Sequence, residues 1–173
     1  MCIRDRVGIG SNELINLPFG NGSERMLNNQ NLGTHFCNLN LNIHGQEHLF
    51  RSALEGIAFS FVYGMEIMKA DGIDIHVIRA GNDNLFQSEI FSTTFSSLIG
   101  HPIEIYNTTG AVGAARAAGL EKGELIELSR SSNDFDKVRE ILPESDTQKY
   151  IETYEKWKLV LEQKILNNDT YRR

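Results

Sequence analysis

The sequence predicts an α/β fold with a mainly parallel sheet and helices on its faces. Three observations predict it. Short apolar strand patterns alternate with helical ones between residues 76 and 119, an order that implies parallel strands joined by a right-handed crossover. A long amphipathic helix pattern, Gln46 to Lys69, precedes that unit. The length of 173 residues suits one domain with a core of its own.

In chain order, residues 7–33 are rich in Gly and Asn around Leu17-Pro18-Phe19-Gly20-Asn21-Gly22, a composition of turns and loops. Cys37, Leu39, Leu41 and Ile43 then alternate with Asn38, Asn40 and Asn42, the two-residue period of a half-buried strand. In the long helix Phe50, Leu54, Ile57, Phe61, Met65 and Met68 recur at three- and four-residue spacing and predict its apolar face, with Asp71-Gly72 as the stop. Ala53, Gly56, Ala58 and Ser60 keep the neighbouring faces small, so another element can pack closely.

His76 to Arg79 reads as a short strand, and Phe86, Ile90, Phe91, Phe95 and Leu98 as a helix ending at Gly100. Pro102 to Tyr106 reads as a second strand and Ala111 to Gly119 as a small-residue helix. Two tail helices are expected from about residue 134. One runs from Asp134 to Ile141 and stops at Pro143; the other, Thr147 to Leu166, carries Ile151, Tyr154, Trp157, Leu161 and Ile165 on the side that packs back on the domain.

The net charge of −6 comes from scattered acidic and basic residues. No basic stripe is present to displace phosphate counterions, which argues against nucleic acid as a partner. Cys2 and Cys37 form no paired framework and no C-x-x-C, which fits a reducing cytoplasm. No apolar run reaches the roughly 20 residues of a membrane span. Met1 to Arg6 fits poorly with the Gly- and Asn-rich segment after it and is expected to be a non-native or truncated start, leaving residues 7–173 as the domain. His44 and His48 have metal-pair spacing but no third ligand nearby. Neither a Walker-type phosphate loop nor a G-x-G-x-x-G occurs.

Two loops stand at equivalent places. Arg79-Ala80-Gly81-Asn82-Asp83-Asn84 follows the first strand of the alternating unit and Asn107-Thr108-Thr109-Gly110 the second. Each leads into a helix, whose free N–H groups and positive dipole end favour a polar or anionic ligand. Ligands of open parallel sheets collect at such strand ends. Gly81 lets backbone approach a flat ligand, and a bulkier residue there is expected to weaken binding and spare the fold.

Four segments occur in order: Leu17 to Arg25, His48 to Gly56, the Gly81 loop and Gly110-Ala111-Val112-Gly113-Ala114-Ala115. Together they resemble the C-terminal half of the FGGY carbohydrate kinases, most of all their xylulokinase branch. The resemblance implies the C-terminal lobe of an actin-like ATPase, the ribonuclease H-like fold. It implies phosphorylation of a sugar or polyol hydroxyl with ATP and Mg2+, D-xylulose to xylulose 5-phosphate before another ketose, gluconate or glycerol, the metal held mainly by an N-terminal lobe that also carries the sugar site and the catalytic base; the rival reading is a stand-alone nucleotide-binding or scaffold domain. No carboxylate here matches that base, so no catalytic residue is assigned and the chain alone is expected to be inactive. Gly81, Asn82 and Asn84 match the family's adenosine loop, and Gly110 and Gly113 its companion. Glu24 and Arg25 match a Gly-Glu-Arg stretch expected to line the cleft. Ala80 and Asp83 depart from the pattern, standing where glycine and a small or basic residue are usual. The expected partners are ATP, a sugar and the other lobe, with a homodimer left open; neither nucleic acid nor membrane is expected.

Overall fold

A computed structural model describes residues 7–73, 75, 77–118 and 137–170. The expected non-native start, Gly119, and residues 134–136 of the first tail element lie outside them.

The chain opens with an antiparallel hairpin, β1 (Ile15–Glu24) and β2 (Gln30–Cys37), where loops were expected. The Gly and Asn residues that suggested loops are spent on two irregularities. Register shifts between Phe19 and Ser23, beside Gly20 to Gly22, and Asn28 and Asn29 take positive φ (54° and 59°) at the turn, as Asn tolerates. Ile15, Leu17 and Phe19 meanwhile point into the core. The strand expected over Cys37–Ile43 ends where it was to begin. Asn38 has φ 63°, Asn40 Oδ1 accepts the Asn42 N–H at 3.0 Å, and the Asn40 carbonyl accepts the His44 N–H at 2.9 Å. Asn side chains bonding their own backbone make turns rather than strand. Leu39, Leu41 and Ile43 are exposed.

Helix α1 (Gln46–Ala70) forms where expected, but turned about its axis. Its buried residues include His48, Arg51, Ser52, Glu55, Gly56, Phe59 and Val62, while Phe50, Phe61 and Met68 are exposed. Leu54, Ile57 and Met65 are partly buried against the core. Two facts choose this face. Arg51 and Glu55 satisfy one another at 2.7 Å, so a charged pair can lie inward. A Cβ on Gly56 would run into the Asn16 carbonyl, so the helix lies closely on β1, as its small residues imply. The same carbonyl accepts the indole N–H of Trp157 at 2.7 Å.

After α1 come β3 (Ile78–Gly81), α2 (Glu89–Ile99), β4 (Ile103–Tyr106), α3 (Gly110–Ala118), β5 (Lys137–Ile141) and α4 (Gln148–Thr170). Strands β3 and β4 pair in parallel, Ile78 with Ile103 through Gly81 with Tyr106, and α2 makes the crossover. Ser88 caps α2 by accepting the Phe91 N–H, and Gly100 ends it at φ 68°. The first expected tail helix is corrected to strand β5, antiparallel to β4. Ser96 of α2 donates to the Ile141 carbonyl at 3.2 Å, one bond holding that edge. Among the described residues the sheet is therefore less parallel than expected: only β3–β4 is parallel, and β1–β2 and β4–β5 are antiparallel.

Helix α4 packs back on the domain as expected, burying Tyr150, Tyr154, Trp157 and Leu161 and leaving Ile151 exposed. Trp157 stacks with Tyr154 and meets Phe19 and Phe59, so hairpin, α1 and α4 share one core. Phe91 and Phe95 of α2 extend it to the β3–β4–β5 sheet through Ile103 and Ile105.

Candidate functional site

The two loops singled out in the sequence meet at the carboxyl ends of β3 and β4. Each strand ends in a paired residue, Gly81 opposite Tyr106. The Tyr106 carbonyl then accepts two N–H groups, from Asn82 and from Thr108, each at 2.8 Å. In the first loop Asn84 has φ 48° and opens a 3-10 turn, Asn84–Gln87, and Gln87 Nε2 donates to the Asn82 carbonyl at 3.2 Å. In the second, Thr109 Oγ1 accepts the Val112 N–H at 3.3 Å and caps α3, a helix that contains both Gly110 and Gly113.

The two glycines whose surroundings are described differ. A Cβ on Gly81 would stand 2.5 Å from the Thr108 carbonyl oxygen and 3.0 Å from Asp83 Oδ1. The space that glycine frees is taken by the neighbouring loop. The expectation that a larger residue at 81 spares the fold is corrected accordingly: it would drive the loops apart. Among the described residues, a Cβ on Gly110 would meet nothing within 4 Å. Gly110 is exposed in the first turn of α3, where the missing Cβ leaves backbone uncovered.

Glu24 and Arg25 are placed elsewhere. Glu24 ends β1 and lines an open groove of about 490 Å3 with Phe19, Met26, Phe61, Met65 and Met68; none of the five predicted nucleotide residues lines it. Arg25, exposed, starts the 3-10 turn Arg25–Leu27.

A polar cluster that sequence reasoning missed lies beside the loops. Glu104 Oε2 accepts from the Tyr106 hydroxyl at 2.8 Å and from Arg79 Nε at 3.0 Å, and Oε1 accepts from Lys137 Nζ at 3.1 Å. Those bonds hold the Glu104 carboxyl down at about 2, the Tyr106 hydroxyl first among them. The Arg79 guanidinium stands 6.0 Å from the Tyr106 ring centre. The signal was present: residues 79, 104 and 106 share one face of adjacent strands by the two-residue period and the register.

A second polar centre is internal. Glu55, 2% exposed, accepts from Arg51 Nε, the Gly10 N–H and the Ser11 hydroxyl, and Arg51 Nη1 donates to the Val7 carbonyl at 2.8 Å. Burial pushes the Glu55 carboxyl up, against the pull of Arg51. Enclosed in this way, it is a structural latch. The ring nitrogens of His44 bond Asn40 N–H and the Asn12 carbonyl, and those of His48 bond Gly45 N–H and the Asn12 amide. Among the described residues no three His, Cys, Asp or Glu side chains converge as a metal site.

No protein-family model matches the chain. A glycerol kinase of Pseudothermotoga lettingae is 32% identical over 121 residues, 65% of this chain and 23% of the relative. The chain thus spans about a quarter of the length of such curated relatives. Among solved structures, the xylulose kinase of Rhodospirillum rubrum superposes with TM-score 0.73 at 16% identity, over 93% of this chain and 32% of that one. The Plasmodium falciparum glycerol kinase crystallised with ADP gives 0.69 at 16%, over 94% and 32%. The fold is that of the C-terminal lobe of an actin-like sugar kinase. Within this kinase-lobe fold, no helix of the described residues is long and apolar enough to cross a membrane.

Proposed function

We propose that this chain is the C-terminal, ATP-binding part of a carbohydrate kinase that transfers the γ-phosphate of ATP to a sugar hydroxyl. One observation carries the reading: two strand-to-helix loops, Gly81 to Asn84 and Thr108 to Gly110, meet at the ends of adjacent parallel strands, in a fold shared with a glycerol kinase crystallised with ADP. Parallel sheets bind ligands at such strand ends.

Gly81, Asn82 and Asn84 on one side and Gly110 and Gly113 on the other would hold the adenosine half of ATP, which supplies the transferred phosphoryl group. The residues present fit this role in part. Gly110 faces open space, and α3 offers its first free N–H groups beside it. Gly81 acts by letting the loops close on each other. Asp83 would repel phosphates, so it faces ribose hydroxyls or solvent. Glu24 would brace the cleft from the groove between β1 and α1, and Arg25 from the turn that follows β1. On the resemblance of the ordered motifs, Mg2+ would be held mainly by the N-terminal lobe, which would also carry the sugar and the catalytic base. Closure of the two lobes would exclude water and align the hydroxyl.

For the substrate we favour D-xylulose, giving xylulose 5-phosphate, on the resemblance of the ordered motifs. Glycerol is the second reading, favoured by the sequence relatives, which are glycerol kinases. Adding ADP to the isotopically labelled chain should shift the amide resonances of Gly81, Asn82, Asn84, Gly110 and Gly113; shifts confined to other residues would refute the assignment. Phosphorylation rates of the complete kinase on D-xylulose, gluconate and glycerol decide the substrate. The 173-residue chain should by itself transfer no phosphate.

A further inference from the structure

We propose that Tyr106, braced by Glu104, is the positioning residue that sets the gap between the two nucleotide loops. The inference rests on the nucleotide-binding reading above and assigns a task to a residue outside both loops.

The argument starts at one oxygen. The Tyr106 carbonyl accepts the Asn82 N–H and the Thr108 N–H, each at 2.8 Å. A carbonyl oxygen has two lone pairs, so both are committed to the loops. Asn82 is the first residue beyond β3 and Thr108 the second beyond β4, so both loops hang from a single backbone atom. Where that oxygen points is where the loops go. Gly81 completes the arrangement, since only a residue without Cβ lets the Thr108 carbonyl come in beside it.

The side chain of Tyr106 is what keeps the oxygen from moving. Its hydroxyl donates to Glu104 at 2.8 Å. Glu104 also accepts from Arg79 on β3 and Lys137 on β5, so the anchor is tied to all three strands. A carboxylate accepting three donors, two of them charged, is stiffer than a neutral pair. The ring, 9% exposed, adds a cation–π contact with Arg79. Among the described hydrogen bonds, the cluster meets both loops through the Tyr106 carbonyl.

The test uses the labelled 173-residue chain with Tyr106→Phe, which removes one hydroxyl and retains the ring, and Glu104→Ala. Amide hydrogen exchange without nucleotide is read first. Tyr106→Phe should speed exchange at Asn82 and Thr108 by about fivefold or more and leave Ile103 and Ile105 as in the wild type. ADP affinity should fall by about three- to tenfold with the melting temperature nearly unchanged. The double variant should be no weaker than Glu104→Ala alone, because both act through one chain of bonds. Unchanged exchange at Asn82 and Thr108, or faster exchange spread over the whole sheet, overturns the proposal. A wild-type chain that binds no ADP overturns the nucleotide reading instead, and the exchange rates still decide whether Tyr106 sets the loops.

Discussion

Replacing Gly81 by alanine tests the loop geometry with one added carbon. That carbon would stand 2.5 Å from the Thr108 carbonyl oxygen and 3.0 Å from Asp83 Oδ1. The Asp83 carboxylate can rotate away, but the carbonyl is main chain and cannot. A comfortable carbon–oxygen contact is about 3.3 Å or more, so the second loop must retreat by roughly 0.8 Å. The retreat strains one of the two bonds at the Tyr106 carbonyl. Overpacking of this kind costs about 1–3 kcal/mol, which for a chain of this size lowers the melting temperature by roughly 2–4 °C per kcal/mol. A spread approaching 1 Å between two halves of a site also weakens it sharply. We expect ADP affinity to fall about tenfold, roughly 1.4 kcal/mol. Calorimetric titration and thermal unfolding are read together. Gly110→Ala is the partner experiment: its Cβ meets nothing within 4 Å among the described residues, so the fold should hold while affinity drops if a nucleotide approaches there. Gly81→Ala binding ADP within twofold of wild type would refute the reasoning.

Two further outcomes concern the polar centres. Glu55→Ala leaves Arg51 buried without its partner and frees the Gly10 N–H and Ser11 hydroxyl; breaking such a pair costs about 3–5 kcal/mol, measured by urea unfolding, and a loss below about 1 kcal/mol would contradict the latch. Glu104 lies at about 2 in the folded chain against an ordinary 4.5, so it contributes stability that is present above pH 4.5 and is lost as the pH falls toward 2. Discounted for partial exposure this is about 1 kcal/mol; the gap in urea midpoint between wild type and Glu104→Gln should narrow over that range, and parallel curves would be the contrary result.

The alternating unit was legible in the sequence because its signals are local. Ile78, Ile103 and Ile105 form short apolar strands, Gly100 ends α2, and Thr109 caps α3. The order of these elements placed Gly81 and Gly110 at one end of the sheet before any contact was known. The hairpin was hidden because Gly20, Gly22, Asn28 and Asn29 dominate its composition, while Ile15, Leu17 and Phe19 define its face. The orientation of α1 could not be read from hydrophobicity. A buried Arg51–Glu55 pair is stable only with partners from residues 7–11, a tertiary condition that helical period does not contain. Glu104 and Tyr106 escaped notice for the same reason: their roles exist only once the strand register is fixed.

The Glu55 latch has a further consequence at the segment it holds. Gly10, Ser11, Asn12 and Glu13 have φ of 85°, 47°, 51° and 67°, four successive residues in the left-handed region. A residue with a Cβ costs roughly 1–2 kcal/mol there, and Asn less, so Ser11 and Glu13 are the strained pair. Ser11 and Asn12 are compensated by side-chain bonds to Glu55 and His48. The Glu13 side chain instead makes an exposed contact with Lys156 at 2.8 Å, which salt screens. Glu13→Gly should therefore relieve strain at the loss of a contact that already weakens in salt. The melting temperature should rise, and the gain over wild type should be larger at 1 M than at 0.05 M salt, roughly above and below the screening threshold. A variant that melts below wild type at high salt would mean that the left-handed turn is relaxed as it stands, and that Glu55 holds the segment without opposing any strain.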